Sequence, residues 1–247
     1  SDVCSSDLGE KGPNTGGMGT YSPNSQADVY LDEIDKKVLQ PFLKGIQADG
    51  IDYRGLVFIG CMIGEKGVQV LEYNVRFGDP ETQSVLHRLD VDLLDIMQAT
   101  SRGKLSEMEL KENKNKVITV VLASGGYPDS YEKGKEILGL DTIVDCSVYH
   151  AGTKYENGKY YTNGGRVLSL TATAPSFEEA KKIVYREIEK VKFEGMTYRK
   201  DIGPMVERVY VRKKEGFDNE AKKIKSDIEN ALHMSLEDVI LYNRYDI

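Results

Sequence analysis

The chain has 247 residues with 33 Lys and Arg against 40 Asp and Glu, a formal net charge of −7 at pH 7. It therefore lacks the basic excess that phosphate-backbone binding draws on, which argues against a nucleic-acid partner. Hydrophobic residues at 40% and charged residues at 30% describe a globular chain rather than a disordered one, and no apolar run approaches the ~18–20 residues of a membrane span.

Ser1 to Leu8 has neither the basic start nor the apolar core, of roughly 7–15 residues, that a signal peptide needs. The chain begins with Ser, not Met, which suggests a truncated or joined reading frame, and residues 1–8 are set apart from the fold. From Gly9 to Gly19 five of eleven residues are glycine, the composition of a loop whose backbone approaches another group closely. A helical pattern follows in Val29, Ile34, Val38, Phe42, Leu43 and Ile46, with Pro41 predicting a kink or break.

Gly55–Ile63 and Val68–Val75 read as two strands joined by the turn Gly64-Glu65-Lys66-Gly67, a β-hairpin. Ser84 to Thr100 carries Val85, Leu86, Leu89, Leu93, Leu94 and Met97 on one face of a single helix. The polar stretch 103–116 looks like a domain boundary. Beyond it Val117–Ala123, Cys146–His150, Lys159–Thr162 and Arg166–Ala172 read as strands, the first closed by Gly125-Gly126-Tyr127-Pro128. Ser176-Phe177-Glu178-Glu179 has the form of a capping box and opens a helix to about Val191. The fold class expected is α+β, with an antiparallel sheet in the second region.

The segment with the most chemistry is Leu71 to Glu81. Alternation along a strand puts Glu72, Asn74 and Arg76 on one face and Leu71, Tyr73 and Val75 on the other, where they are expected to pack on a core. A carboxylate and an amide oxygen suit a hard cation such as Mg²⁺ or Mn²⁺, and Arg76 beside them suits a phosphate or carboxylate. The alternative is a solvated face with a Glu–Arg pair. Gly12 to Gly19 is a second candidate, since glycine N–H groups can cradle an anion; the alternative there is a surface turn, because the segment matches neither GxxxxGK[ST] nor GxGxxG.

His87, His150 and His233 stand far apart without metal-ligand spacing, and His87 reads as a helix-surface residue. No Gly-x-Ser-x-Gly or Cys/His arrangement points to a covalent nucleophile. Cys4, Cys61 and Cys146 are odd in number, widely spaced and without a CxxC, which argues against a disulfide framework or zinc site and for a reducing cytoplasm.

Taken together, several segments resemble one family. They are Gly-Pro-Asn-Thr-Gly-Gly-Met-Gly (12–19) with Tyr-Ser-Pro (21–23), and Glu-Tyr-Asn-Val-Arg-Phe-Gly-Asp-Pro-Glu-Thr-Gln (72–83). Ala-Ser-Gly-Gly-Tyr-Pro (123–128), His-Ala-Gly-Thr (150–153), Thr-Asn-Gly-Gly-Arg-Val-Leu (162–168) and Tyr-Arg-Lys-Asp-Ile-Gly (198–203) continue the match. The chain resembles the glycinamide ribonucleotide synthetases, of the ATP-grasp enzymes, over about residues 9–204.

That resemblance implies ATP-driven amide formation in de novo purine synthesis. Glycine is activated as glycyl phosphate, and the amino group of 5-phosphoribosylamine displaces the phosphate to give glycinamide ribonucleotide. It implies Glu72 and Asn74 as ligands of Mg²⁺ or Mn²⁺, and Arg76, Asp79 and Glu81 at the reaction centre. Pro13, Asn14, Thr15, Gly16, Gly17 and Gly19 would border the cleft and hold substrate. The family places its phosphoribosylamine-binding domain and ATP-clamping lobe before the Gly12–Gly19 segment. The chain is therefore expected to be a C-terminal half, unable to make glycinamide ribonucleotide alone. The other functions considered are a non-catalytic metal- or nucleotide-binding module and part of a bifunctional purine-pathway fusion.

The tail is similar to something else. Val206 to Asp218 and Tyr242 to Ile247 resemble the opening of formylglycinamidine ribonucleotide synthase. A strand over 207–213, a helix carrying Ala221, Ile224, Ile228 and Leu232, and a strand over 238–242 make a β-α-β piece, about half of a ferredoxin-like unit. Two neighbouring reading frames joined together, or a private extension, would both produce it. The expected divisions are thus 1–8, 9–108 (C-terminal part of the ATP-grasp domain), 109–204 (C-terminal domain) and 205–247 (tail).

Overall fold

The computed structural model describes residues 2–5, 12–64, 66–204, 208–211, 219–232, 235 and 243–246. The chain divides into two units, Ser1–Pro204 and Met205–Ile247. In chain order the first contains β1 (Asp2–Ser5), β2 (Asn14–Ser22), α1 (Ser25–Asp28), α2 (Leu31–Ile34), α3 (Gln40–Ala48), β3 (Phe58–Gly64) and β4 (Gly67–Asn74). It continues with α4 (Glu81–Leu86), α5 (Leu93–Ser101), β5 (Lys116–Ala123), β6 (Glu136–Ile137), β7 (Ser147–His150), β8 (Thr153–Glu156), β9 (Lys159–Thr162), β10 (Arg166–Ala174) and α6 (Phe177–Ile188).

One antiparallel sheet, in the order β1-β2-β5-β10-β7, organises this unit. Its central strands β5 and β10 are buried almost throughout because both of their faces are covered. Ile118, Val120 and Leu122 of β5 join Leu168, Leu170 and Ala172 of β10 in the core with Ala180, Val184 and Ile188 of α6. Each fully buried Val, Leu or Ile there contributes about 1.5–3 kcal/mol. The opposite face of β5 presents Val121 and Ala123 to Met18, and its Thr119 to Ser84 of α4. The Ser176 cap of α6 is formed: its Oγ accepts from the Glu179 amide at 3.2 Å and lies 3.3 Å from the Glu179 carboxylate.

The structure departs from the sequence-based expectation in several places. The segment set apart at the start contributes β1, whose Asp2 and Val3 pair with Thr20 and Gly19. The expected glycine-rich loop is largely strand β2, and Gly19 shows why. A Cβ there would stand 2.7 Å from the Thr119 carbonyl oxygen and 2.8 Å from the Ile202 side chain, so the glycine permits close strand packing. Pro41 does not break the helical path. A wider π turn over Asp35–Leu39 runs into α3 just ahead of the proline, so the ring, which has no N–H to bond the preceding turn, is carried within one continuous helical path.

The single helix expected over 84–100 is two helices, α4 and α5. Residues 88–90 leave the helix to bond with 111–113, through Asp90 N to Lys111 O and Asn113 N to Arg88 O, both at 2.9 Å. Asp92 then caps α5 by accepting from the Leu94 amide at 2.7 Å.

The expected hairpin of β3 and β4 forms, with Phe58 opposite Asn74 and Gly60 opposite Glu72 and an irregularity between Gly60 and Cys61. Its apolar face is not packed as expected. Phe42 of α3 stacks on Tyr73 at 5.2 Å but leaves Leu71 62% and Val75 74% exposed. A two-stranded sheet offers too little surface to bury that face by itself.

In the second unit, β11 (Arg208–Val211), α7 (Asn219–Leu232) and β12 (Asn243–Asp246) follow in the order strand, helix, strand. The two strands pair antiparallel, Arg208 with Asp246 and Val211 with Asn243. The strand expected over 238–242 lies outside the described residues. No helix among the described residues is long and apolar enough to cross a membrane.

Candidate functional site

β4 carries the first group of candidate residues. Glu72 and Asn74 stand on the strand face that also holds Phe58 and Gly60, and the Glu72 side chain lies over Gly60. The Asn74 amide nitrogen is buried without a hydrogen-bond partner. Arg76 follows the strand, and its Nη1 donates to the Phe77 carbonyl at 3.0 Å. Among the described residues no ion pair links it to Glu72 or Asp79. No group of three or more His, Cys, Asp and Glu side chains able to hold a metal occurs among them either.

The loop between β4 and α4 is set by local bonds. The Thr82 amide donates to the Gly78 carbonyl at 3.1 Å and its hydroxyl donates to the same oxygen. Gln83 Nε2 donates to Asp79 Oδ1 at 3.0 Å. Glu81 is the first residue of α4, where the helix N-terminus favours a carboxylate. Its side chain turns back over Gly78, where an added Cβ would collide with it.

Beneath this loop runs a chain of buried hydroxyls. Thr20 Oγ1 donates to the Pro80 carbonyl at 3.2 Å and lies 2.7 Å from Ser84 Oγ. Ser84 lies 2.9 Å from Thr119 Oγ1, which lies 2.9 Å from Thr171 Oγ1. A hydroxyl has one proton, so the Thr20 bond to Pro80 fixes the direction of the rest: Ser84 donates to Thr20, Thr119 to Ser84 and Thr171 to Thr119. Strands β2, β5 and β10 thereby hold the loop and α4 in one position.

The glycine-rich segment meets the same loop through Arg166. Arg166 Nη1 donates to the carbonyls of Gly16 at 2.7 Å, Asp79 at 2.6 Å and Gly17 at 3.4 Å. Its Nη2 lies 3.3 Å from Asp79 Oδ2. The Gly16 amide donates to the Tyr127 hydroxyl at 3.1 Å, and the Gly17 amide to Thr15 Oγ1 at 3.2 Å. Gly17 has φ near 106°, a conformation that favours glycine. The backbone of Gly16 and Gly17 is thus engaged within the protein, while Pro13 and Asn14 are exposed and Thr15 is half-buried.

Arg166 and Tyr127 were not singled out from the sequence. Arg166 stands in the Asn-Gly-Gly-Arg segment and Tyr127 in Gly-Gly-Tyr-Pro, but the partner residues Asp79 and Gly16 are 87 and 111 positions away.

Beside Asp79 opens a cavity of about 300 Å³, lined by Phe77, Asp79, Thr82, Gln83, Tyr149 and His150 among others. His87 is not the solvated helix residue expected. It ends α4 half-buried, with Nδ1 3.0 Å from Thr173 Oγ1 and Nε2 2.6 Å from the Tyr149 hydroxyl. Burial pulls its pKa below the ordinary histidine value, so at neutral pH it is an uncharged bridge that fixes Tyr149 at the cavity wall.

Two family models match the chain. Residues 5–82 match the ATP-grasp (A) domain of phosphoribosylglycinamide synthetase, and residues 117–205 match its C domain. The phosphoribosylamine–glycine ligase of Caldanaerobacter subterraneus subsp. tengcongensis is 48% identical over 194 residues, 78% of this chain and 46% of that protein. The chicken trifunctional purine biosynthetic protein adenosine-3 is 45% identical over 200 residues, 79% of this chain and 20% of that protein. The crystal structure of phosphoribosylamine–glycine ligase from Thermotoga maritima superposes with a TM-score of 0.74 at 37% identity, covering 82% of this chain and 50% of that one. The chain thus spans about half the length of the single-function ligases it matches. Residues 5–82 and 117–205 belong to the phosphoribosylglycinamide synthetase family, the first within its ATP-grasp domain and the second as its C domain.

Proposed function

We infer that this chain supplies the closing part of the ATP-grasp site and the C domain of a ligase. The reaction joins glycine to 5-phosphoribosylamine at the expense of ATP through glycyl phosphate, giving glycinamide ribonucleotide, ADP and phosphate, in a reducing cytoplasm. The observation that carries the inference is the Arg166 clasp, by which the C domain draws the Gly16 segment and the Asp79 loop together.

In this reading Glu72 and Asn74 hold a divalent cation, Mg²⁺ or Mn²⁺. A carboxylate and an amide two residues apart on one strand face match two positions of a hard cation's oxygen shell. Such a cation neutralises phosphate charge during phosphoryl transfer. Arg76 holds phosphoryl or carboxylate oxygens as a fork of donors. Asp79 and Glu81 place carboxylates at the loop, Asp79 steered by Arg166 and Gln83. Pro13, Asn14, Thr15, Gly16, Gly17 and Gly19 border the cleft on its other side.

The test is Glu72→Ala in an enzyme completed by a front half. Metal-dependent turnover is expected to vanish, and Mn²⁺ binding, read by electron paramagnetic resonance, to weaken with it. A near-normal rate with unchanged Mn²⁺ binding overturns the metal assignment.

Residues 205–247 are read as the beginning of a second purine-pathway frame following the ligase frame, divided near 108, which the family match opens at residue 5 rather than at Gly9. Sequencing the DNA on both sides of the chain tests this. A downstream frame continuing as a formylglycinamidine ribonucleotide synthase supports it, and an immediate stop codon points to a private extension instead.

A further inference from the structure

Of the asparagines in the sequence, only Asn157 and Asn163 are followed by glycine. An asparagine loses its amide when the next residue's backbone nitrogen attacks Cγ, and a glycine there has no side chain to obstruct the approach. The fold treats the two pairs differently. Asn157 and Gly158 are the turn residues between β8 and β9, with φ of 51° and 80°. Positive φ at both positions is the mark of a type I′ turn. Both residues are exposed, and an added Cβ on Gly158 would meet nothing within 4 Å. Among the described residues no hydrogen bond engages the Gly158 amide.

Asn163 is exposed as well, but its backbone is fixed on both sides. The Asn163 amide donates to the Gly152 carbonyl at 2.7 Å. The Gly164 carbonyl accepts from Ser124 Oγ at 2.8 Å, and the Gly165 carbonyl accepts from the Ser124 amide at 2.8 Å. Gly164 also lies close against Gly152: a Cβ on Gly152 would stand 2.6 Å from the Gly164 Cα and 2.9 Å from its nitrogen. Turning this backbone to bring the Gly164 nitrogen onto Asn163 Cγ requires those bonds and that contact to open first.

We propose that Asn157 is a site of spontaneous deamidation, and that the fold protects Asn163 from the same reaction. The inference is independent of the ligase reading. The Gly158 nitrogen gives up its proton and bonds to Asn157 Cγ, and the side-chain nitrogen takes up a proton and leaves as ammonia. Water then opens the resulting succinimide at either of its carbonyls. Attack at Cγ leaves aspartate at 157. Attack at the backbone carbonyl leaves isoaspartate, whose main chain runs through Cγ and is longer by a methylene. Either product adds a negative charge beside Glu156. The longer chain also disrupts the tight turn that sets Glu156 opposite Lys159. That hairpin holds Tyr155 on Tyr160 at 4.7 Å, and Tyr160 on His150 of the cavity wall at 4.6 Å.

The experiment incubates the purified chain at pH 8, folded or in guanidinium chloride, and digests samples with trypsin. Cleavage after Lys154, Lys159 and Arg166 puts each Asn-Gly pair in its own peptide, residues 155–159 and 160–166. Mass spectrometry reads the conversion of each amide to acid. In the folded chain Asn157 should convert about tenfold faster than Asn163 or more, and the two rates should converge in guanidinium, where no contact holds either. Hydrogen exchange of the β9 amides should quicken in the deamidated fraction, separated by ion exchange. A smaller ratio in the folded chain, or an Asn157 that converts in guanidinium but stays intact when folded, overturns the proposal. Unchanged β9 exchange overturns the effect on the hairpin.

Discussion

Arg166 donates to Asp79 twice, through Nη1 to its backbone carbonyl at 2.6 Å and through Nη2 to its carboxylate at 3.3 Å. One side chain at the start of β10 thus orients both the backbone and the carboxylate of the loop ahead of α4. The same guanidinium grips Gly16, so replacing it should release two segments at once. Arg166→Ala is expected to cost about 1.5–3 kcal/mol, the range for hydrogen bonds that involve a charged group. Arg166→Lys should recover less than half of that, because an ammonium cannot span both segments as a fork does. Urea unfolding of the three chains checks this; a lysine variant as stable as the wild type would contradict it.

The hydroxyl chain from Pro80 to Thr171 makes a second prediction. Ser84 is 1% exposed and stands in the middle of the chain. Ser84→Ala leaves Thr119 without an acceptor and removes the donor to Thr20. The expected loss is about 1–3 kcal/mol, and Ser84→Thr, which keeps a hydroxyl, should lose less unless the added methyl is crowded out. Thermal unfolding followed by circular dichroism measures both variants, and an alanine variant of unchanged stability would show that the hydroxyls are not coupled.

Glu187 has a fully buried side chain in α6, paired with Lys190 at 2.7 Å and Arg186 at 3.2 Å and accepting from the Val144 amide at 3.1 Å. Burial opposes its ionisation, but the bonds from Lys190, Val144 and Arg186 outweigh it and hold the pKa below the ordinary value of 4.5. The folded chain therefore favours the ionised form. Its contribution to stability is complete above the unfolded value, about pH 4.5, and is lost as the pH falls through the lower folded value. Lys190 and Arg186 both reach solvent, so Glu187→Gln strands no buried cation and should cost about 1–3 kcal/mol at pH 7. The difference from the wild type should shrink toward acid pH. A difference that stays constant between pH 7 and pH 3 would refute the ionised assignment.

Cys146 lies before β7, and burial, followed by the negative charges of Glu187 and Asp145, pushes its thiol pKa up to about 12. Against the ordinary value of 9.0, the thiolate is scarcer on the order of a thousandfold near pH 8. Iodoacetamide pulses read by mass spectrometry should therefore label Cys146 slowly in the folded chain and readily in urea. Equal labelling in the two states would mean that the thiol is open to solvent.

The parts of the fold visible in the sequence are those set by neighbours along the chain. The Ser176 cap, the apolar run of β5, and the turn between β3 and β4 all depend on residues a few positions apart. Strand β2 was hidden because its reason for glycine at Gly19 is the approach of Thr119 and Ile202, far along the sequence. The break between α4 and α5 was hidden because apolar spacing runs on across it, while residues 111–113 pull the backbone away. At the candidate site, Glu72, Asn74, Asp79 and Glu81 were legible as a segment, whereas Arg166 carries no local signal of its hold on Asp79. Alternation placed Leu71, Tyr73 and Val75 on one face, yet could not show that the face is left uncovered.

ADP release is the most direct measure of whether this chain is the back half of a glycine-activating ligase. The purified chain, supplied with ATP, glycine, 5-phosphoribosylamine and Mg²⁺, should release no ADP above background. Joined in frame to the front part of the Caldanaerobacter ligase, it should release ADP only when glycine and the amine are both present. Glycine- and amine-dependent release by the isolated chain would contradict this division of the enzyme. So would silence from the joined enzyme when the same front part is active with its own back half.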